Sequence, residues 1–497
     1  MSKGFIRYQT KNGTQYAALY QAKRINGKKT NQVTNLGKVI NKQQNLYQNR
    51  TRGLFTYTIE NGYTNPPNTT EPQTKTKLIL DFGDAYLLDQ TLQLTQLHPI
   101  LKTLTPNQTD TLTALIAHRI LDKCTPNTYA KEWWETSYTN LLYPKANLHS
   151  QRLSEFLTTI GEEKNQRNFF KAYLTHLSKT QKTHNILLDS TGLPNDIQFP
   201  LTATNNHNGT LSSETRLILV VDRKTKMPIY FRYAAGNIVD VSTLKATFRE
   251  LAFFGVDISF AIIDAGYYSE SNIVELQRAG ISFIVRLVSN RVFYKELVAE
   301  HAPGLQDAKN LVCYNQRLVY VKKVVVDLFG QVGYAYVALD VARHFEEVKK
   351  YARGALEGGE VSVEEMNRVM LSKGLFVLVS SCDVGVGEVL PLYYERQIVE
   401  QVFDLSKNNV DLLPLRVHSV EAFRGHLMVS FLASVVYVAA NNLLEGSGFC
   451  AMSAFHLFHG LKCKVFDKQV FVMEPNRKMN DIAEHLKISI PSVINLW

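Results

Sequence analysis

For its first 59 residues the chain has no aspartate and no glutamate. Eleven cations stand there instead: Lys3, Arg7, Lys11, Lys23, Arg24, Lys28, Lys29, Lys38, Lys42, Arg50 and Arg52. They carry the whole formal excess of +10, and the rest of the 497 residues is close to balance. A basic segment this concentrated implies a polyanionic partner. Cysteine is scarce as well. The five thiols, Cys124, Cys313, Cys382, Cys450 and Cys463, are scattered and form no CxxC pair. That spacing excludes a zinc ribbon and a disulfide scaffold, and it fits a reducing compartment. Long apolar runs are also missing. The longest, Leu427 to Ala440, is too short to span a bilayer and reads as a buried core helix. The opening Met-Ser-Lys-Gly-Phe-Ile-Arg has none of the apolar character of a secretory signal. A cytoplasmic protein without a membrane segment is the expectation.

The length exceeds one ordinary core, so several domains are expected. Residues 1–63 alternate polar and apolar in short pieces, broken by Asn-Gly at 12–13 and 26–27. Such pairs favour tight hairpins, which predicts a small basic β-domain. Tyr8, Tyr16, Tyr20, Tyr47 and Tyr57 are interleaved with its cations, as on a nucleic-acid surface or in the packing of a small sheet. Lys23, Arg24, Lys28 and Lys29 are its densest cation cluster and the candidate DNA contacts. Residues 64–80 form a polar, proline-rich linker. Residues 81–182 show apolar positions at helical spacing and predict a helical domain. Asp81-Phe82-Gly83 matches a kinase string, but no glycine-rich loop or His-Arg-Asp segment accompanies it.

From 183 to 287 the periodicity changes. Strands are predicted at Asn185–Asp189, Arg216–Asp222, Met227–Ala234, Ser259–Asp264 and Ile281–Leu287, with helices at Ser242–Phe253 and Ser271–Ala279. The order β-β-β-α-β-α-β, hairpins first and crossovers later, is that of an RNase H-like mixed sheet in an α/β fold. Residues 288–390 interrupt it with a β-rich insertion, in which Ser362 and Glu365 cap a helix. Residues 391–445 resume the core. A tail at 446–497 follows, with the rhythm of a helix-turn-helix at Asp481–Val493.

Two acids end strongly apolar strands: Asp189 in Leu-Leu-Asp-Ser-Thr-Gly and Asp264 in Ile-Ile-Asp-Ala-Gly-Tyr-Tyr. Burying a carboxylate there is costly unless it is paired or bound to a metal. The first and fourth strands of such a sheet are neighbours, so the two carboxylates face each other and call for a cation between them. A third acid can come from the stretch Tyr393–Lys407, which has no Gly or Pro and predicts one continuous helix. At about 100° per residue, Tyr393, Arg396, Glu400 and Lys407 fall within a stripe roughly 60° wide, on its accessible face. Ile398, Val402 and Leu405 lie opposite. A solvated stripe with an Arg396–Glu400 ion pair would explain that helix taken alone. Beside two aspartates, Glu400 completes a set of hard oxygen ligands suited to Mg²⁺ or Mn²⁺.

These residues resemble the DDE triad of bacterial insertion-sequence transposases. Asp189, Asp264 with Gly266 and Tyr268, and Glu400 match the triad. Tyr393-x2-Arg396-x3-Glu400-x6-Lys407 matches in full the YREK signature of one large branch. The resemblance covers roughly 185–445, including a 136-residue interval between the second Asp and the Glu. It implies cutting of DNA at the terminal inverted repeats of a mobile element and joining of its 3′ ends to target DNA, by two-metal phosphoryl chemistry. It further implies that Asp189 bridges two ions, that Asp264 and Glu400 hold one each, and that Tyr393, Arg396 and Lys407 touch phosphates near the cut. A homodimer on double-stranded DNA and association with the nucleoid follow from the same resemblance. Some relatives place a Trp in the insertion to hold a flipped base. Here the tryptophans are 133, 134 and 497, and the aromatic substitutes in the insertion are Phe293, Tyr294 and Tyr320.

Other acids compete for the metal role. Asp222 sits in a hairpin turn, Asp240 just before a helix, and Asp404 on the Glu400 stripe. Turn, cap and solvent duty are their ordinary explanations. His418, Glu421, Arg424 and His426 cluster after the signature helix, as added phosphate contacts or as a surface segment. Two other functions share most of these features. One is an RNase H-fold metal-dependent nuclease or resolvase without strand transfer. The other is an inactive regulator that binds DNA ends without cutting.

Overall fold

The computed structural model describes residues 4–11, 14–25, 28–49, 53–64, 78–122, 125–207, 210–238, 240–358, 362–410, 412–415, 417, 419–466 and 469–496. The chain divides into two compact units, Met1–Lys77 and Leu78–Trp497.

In the first unit, strands β1 (Phe5–Lys11), β2 (Thr14–Ile25), β3 (Lys28–Asn41), β4 (Leu46–Asn49), β5 (Gly53–Thr58) and β6 (Gly62–Thr64) form an antiparallel meander in sequence order. Lys11 pairs with Thr14 and Ile25 with Lys28, so the strands close around two-residue connections at both Asn-Gly positions. Asn12, Gly13, Asn26 and Gly27 themselves lie outside the described residues. Alternation gives the sheet one apolar face, where Ala17, Leu19, Leu36, Tyr47, Phe55 and Tyr57 form a small core. Two of the five tyrosines are therefore packing residues. Tyr16 stays exposed, and Tyr8 and Tyr20 carry Lys42 and Arg7 over their rings at 4.6 and 6.0 Å.

The second unit begins with β7 (Leu78–Asp81) and a helical run: α1 (Gly83–Leu94), α2 (Leu97–Leu104), α3 (Thr109–Leu121), α4 (Ala130–Thr136), α5 (Thr139–Leu142), α6 (Ser150–Ile160) and α7 (Glu163–Thr180). Next come β8 (Thr183–Pro194), β9 (Ala203–His207), β10 (Thr210–Asp222), β11 (Pro228–Ala235), α8 (Leu244–Phe253), β12 (Asp257–Ile263), α9 (Glu270–Arg278) and β13 (Ser282–Arg286). The strand order is β11-β10-β8-β12-β13, antiparallel through the first three, with β12 parallel to both β8 and β13. Leu187, Leu188, Ile262 and Ile263 are fully buried, as continuous apolar runs require of central strands covered on both faces.

The insertion adds α10 (Val292–His301), β14 (Leu311–Tyr314), β15 (Arg317–Asp327), β16 (Val332–Asp340), α11 (Val341–Gly358), α12 (Val363–Ser372) and β17 (Leu375–Ser380). Its strands continue the central sheet beyond β13, in the order β17-β16-β15-β14. Ser362 caps α12 by accepting the Glu365 N–H, and α11 is an 18-residue helix in this segment that the sequence reading did not anticipate. Then follow α13 (Val389–Tyr394), α14 (Gln397–Asn409), α15 (Val420–Leu443), α16 (Ala451–His459), β18 (Lys462–Phe466), β19 (Gln469–Val472), α17 (Arg477–Leu486) and β20 (Val493–Asn495). Helix α15 is long and apolar enough to cross a membrane by length and composition, but 94% of that stretch is buried inside the fold. It packs against α3 and α6, so the helices of 83–180 share one apolar core with the sheet.

Two regions differ from expectation. A helix-turn-helix at Asp481–Val493 would need a second helix after α17. Instead Val493–Asn495 is a strand, completing the sheet β20-β19-β18-β7. Lys487 at φ +55° stops α17 in a left-handed cap, and the Ile-Pro step at 490–491 keeps the next residues extended. The stretch 393–407 is also two helices, not one. At Glu395 and Arg396 the backbone stays right-handed, but the bonds tighten to i→i−3, Ile398 N–H to Glu395 O and Val399 N–H to Arg396 O.

Candidate active site

The turn between α13 and α14 places four consecutive side chains on different partners. Tyr393 is buried and points inward, its hydroxyl 3.5 Å from Asp264 Oδ1. Tyr394 stacks on Tyr314 of β14, ring centroids 5.2 Å apart, with Arg317 over its ring. Glu395 pairs with Arg223 of the β10–β11 turn. Arg396 turns back to the acids. Tyr393 and Arg396, three residues apart, share the face toward the acids, and Tyr394 and Glu395 point away from it. The stripe expected on an accessible face runs from buried Tyr393 through half-buried Arg396 and Lys407 to exposed Glu400.

The two aspartates arrive from adjacent strands. Leu188 stands opposite Ile263 in the parallel β8–β12 ladder, so Asp189 and Asp264, each one residue further, come out side by side. Val399, Val402, Phe403 and Leu405 are buried and fix α14 above them, with Glu400 on its first turn. All three carboxylates converge on one guanidinium. Arg396 Nη1 is 2.7 Å from Asp189 Oδ2 and 3.6 Å from Asp264 Oδ1, and its Nη2 is 3.0 Å from Glu400 Oε1. Side-chain exposure rises from 11% at Asp189 to 35% at Asp264 and 50% at Glu400, so the site opens on the Glu400 side. Lys407, half-buried on α14, donates to Thr191 Oγ1 at 2.6 Å.

The electrostatics follow from that gradient. Burial raises the Asp189 carboxyl to about 7; Arg396 opposes the rise, while Asp264 and Glu400 add to it. Burial likewise pushes the Tyr393 phenol well up, with Asp264 adding to it. Burial works against the Arg396 charge, yet Asp264 and Asp189 outweigh it and hold the guanidinium more firmly protonated. Burial lowers Lys407, against the pull of Asp404 and Glu214.

Among the described residues no three of His, Cys, Asp and Glu stand together as a ready-made metal cage. The Arg396 guanidinium lies between the three carboxylates. Strand β8, expected to end at Asp189, runs on to Pro194. The donor set itself fits a hard dication: three carboxylates, all oxygen, from the middle of β8, the end of β12 and one helix turn. A positive charge already sits at their centre.

The rival acids resolve differently. Asp222 is consumed by the fold, between His184, Gln181 and Thr225. Asp404 is exposed. Asp240 bonds Ser190 and Arg216 within the same neighbourhood, a link the sequence reading missed. After α14, His426 is buried between Arg119 and the Leu412 carbonyl, and burial drives it down to about 3, helped by Arg119; it faces no surface. Glu421 is exposed, Arg424 lies over the Tyr233 ring, and His418 lies outside the described residues. In the insertion, Tyr294 is buried with its hydroxyl on the Leu375 carbonyl, and Phe293 and Tyr320 pack against the core. In the first unit Lys23 is exposed, and the side chains of Arg24, Lys28 and Lys29 lie outside what is described.

A family model for the transposase DDE domain matches residues 180–436. No curated protein matches the chain. Among solved structures the chain is similar to the piggyBac transposase in its synaptic complex with hairpin DNA, solved by cryo-EM. That likeness has a TM-score of 0.40 at 10% identity, over 75% of this chain and 77% of that one.

Proposed function

The chain belongs to the DDE transposase domain family, and on that premise we propose that it cuts the ends of an insertion sequence and joins their 3′ ends to target DNA. Asp189, Asp264 and Glu400 are its catalytic acids, on an RNase H-like core of the YREK branch. The observation that carries this reading is the convergence of these three carboxylates on one cation, from two neighbouring strands and the adjoining helix.

The same acids would hold two divalent ions, Mg²⁺ or Mn²⁺, which supply a more acidic water or 3′-hydroxyl as nucleophile and offset charge on the leaving oxygen. The chain's own residues do the rest. Arg396 balances the acids before DNA arrives and offers its outer N–H groups to a phosphate. Lys407 brings a second fixed charge to the same face, and its bond to Thr191 holds it beside the stretch of β8 that carries Asp189. Tyr393 donates toward Asp264 and, being buried, keeps its proton throughout. The basic first unit binds the element's duplex ends through phosphates, with Lys23, Arg24, Lys28 and Lys29 in its β2–β3 hairpin. Cutting two ends calls for a homodimer on the DNA.

Asp264→Asn tests the assignment. It should abolish Mg²⁺-dependent cleavage of a fragment bearing the element's end, by a factor on the order of 10³ or more, while end binding in a gel-shift assay stays intact. Cleavage at the wild-type rate would remove Asp264 from the site.

A further inference from the structure

We propose that Asp240, braced by Arg216, is a positioning residue that sets Asp189 and Asp264 relative to each other from a single support. The proposal rests on the reading of those two aspartates as the cation-holding acids.

Asp240 opens the short 3-10 turn Asp240–Ser242 between β11 and α8. Its carboxylate is turned inward and fully engaged. Oδ1 accepts from the Ser190 hydroxyl at 2.6 Å and from Arg216 Nε at 2.8 Å, and Oδ2 accepts from Arg216 Nη2 at 3.3 Å. With Arg216 neutralising it at close range, Asp240 is not a fourth acid left over for a metal. It is an anchor.

The first thing it anchors is Asp189. Ser190 is the next residue along β8, and its backbone N–H donates to Asp189 Oδ1 at 2.8 Å. Holding the Ser190 hydroxyl therefore fixes the residue whose amide aims the Asp189 carboxylate. The following positions are held as well: Thr191 by Lys407, and Gly192 against the Glu214 carboxylate, which would overlap any Cβ placed there.

The second is Asp264. Asp264 is followed by the 3-10 turn Ala265–Tyr267, and Gly266 at its centre lies directly against Asp240. A Cβ on Gly266 would stand 2.8 Å from Asp240 Oδ2, so a larger residue there would push that carboxylate from its place. The two turns are also tied by one buried amide: Asn272 Nδ2 donates to Val241 O at 2.9 Å and to Tyr267 O at 2.8 Å. Tyr267 is fully buried beside them.

One carboxylate thus touches the residue after the first acid and the turn after the second. The two acids repel each other, and before a metal ion arrives the shared Arg396 guanidinium offsets only part of that repulsion. A common support holds the spacing before the cation arrives, and this lowers the ordering cost of binding it.

The test uses the full-length protein with Mn²⁺ as the probe. Mn²⁺ affinity is read from the electron paramagnetic resonance of free Mn²⁺, and end cleavage is followed at rising Mn²⁺. Asp240→Ala should weaken Mn²⁺ binding about tenfold or more. It should raise the Mn²⁺ needed for half-maximal cleavage by a similar factor, with a smaller loss at saturating Mn²⁺. Asp240→Asn, which keeps an acceptor for Ser190, should fall between it and wild type. Gly266→Ala should reproduce the weakening although it touches neither Ser190 nor Arg216, and it carries the test if Asp240→Ala fails to fold.

Wild-type Mn²⁺ affinity in folded Asp240→Asn and Gly266→Ala would overturn the proposal. So would an equal loss of affinity in Asp222→Asn, whose acid braces the same sheet away from the site, because the effect would then be one of general stability. Cleavage that survives Asp189→Asn and Asp264→Asn would instead overturn the assignment of the acids themselves.

Discussion

Asp189 and Asp222 lie on paired strands of one sheet, both largely buried, and their surroundings treat them in opposite ways. Asp222 receives the Thr225 N–H at 2.8 Å, the Thr225 hydroxyl at 2.9 Å, Gln181 Nε2 at 2.9 Å and His184 Nδ1 at 2.9 Å. Burial alone would raise its pKa, but these bonds outweigh burial and lower it. Asp189 receives one backbone N–H and a share of a guanidinium that also serves Asp264 and Glu400. Burial wins there, and the carboxyl rises to about 7. An acid the fold has satisfied is a structural acid. Asp189 shares its one guanidinium with two other acids, which leaves it less compensated than Asp222.

Replacing each acid with its neutral isostere should separate the two. In metal-free protein, Asp222→Asn should cost about 2–4 kcal/mol of stability, read as a lower denaturation midpoint in urea. The linkage sign follows from the lowered pKa. The Asp222 contribution is complete above the unfolded value of about 4 and is lost as pH falls through the folded one. The gap between wild type and Asp222→Asn should therefore be constant from pH 8 to 5 and close below about 4. Asp189 has the reverse sign. Its raised pKa means the charged form opposes folding, so Asp189→Asn should be more stable than wild type at pH 8. That gain should shrink as pH falls through about 7 toward the unfolded value of about 4. A loss of stability in Asp189→Asn at pH 8 would break the comparison.

A smaller effect concerns Arg396. Arg396→Met removes the one cation shared by the three acids, so in EDTA the melting temperature should drop by a few degrees, for about 1–2 kcal/mol. Added Mn²⁺ should then restore more stability than it gives wild type. No drop in EDTA would mean that the acids need no counter-charge.

Much of this was legible in the sequence. The apolar runs ending in Asp189 and Asp264 located both strands, because burial on both faces leaves a continuous hydrophobic signature, but β8 continues past Asp189 to Pro194, where its polar residues pair with β10. The spacing from Tyr393 to Lys407 put Glu400 beside those aspartates, but Arg396, expected as a phosphate contact, pairs with all three acids instead. The break at Glu395–Arg396 was not legible, because no Gly or Pro marks it in the sequence. The insertion was read as a β-rich segment, but its continuation of the central sheet is fixed by β13 pairing with β17, 98 residues apart at Phe283 and Ser381. Asp240 read as a turn residue because nothing in a linear pattern links it to Ser190, 50 positions earlier. Gly266 was the one available hint, and it was absorbed into the family motif. The strand at Val493–Asn495 was masked by a helix-like rhythm that β19, its partner, overrides.

The central claim is that Asp189 is reserved for an external cation and Asp222 is not. Mn²⁺ binding to the DNA-bound protein tests it most directly, measured for wild type, Asp189→Asn and Asp222→Asn at a temperature where all three are folded. Asp189→Asn should lose high-affinity Mn²⁺ binding while Asp222→Asn binds as wild type. Equal binding in all three, or a loss confined to Asp222→Asn, would contradict the account.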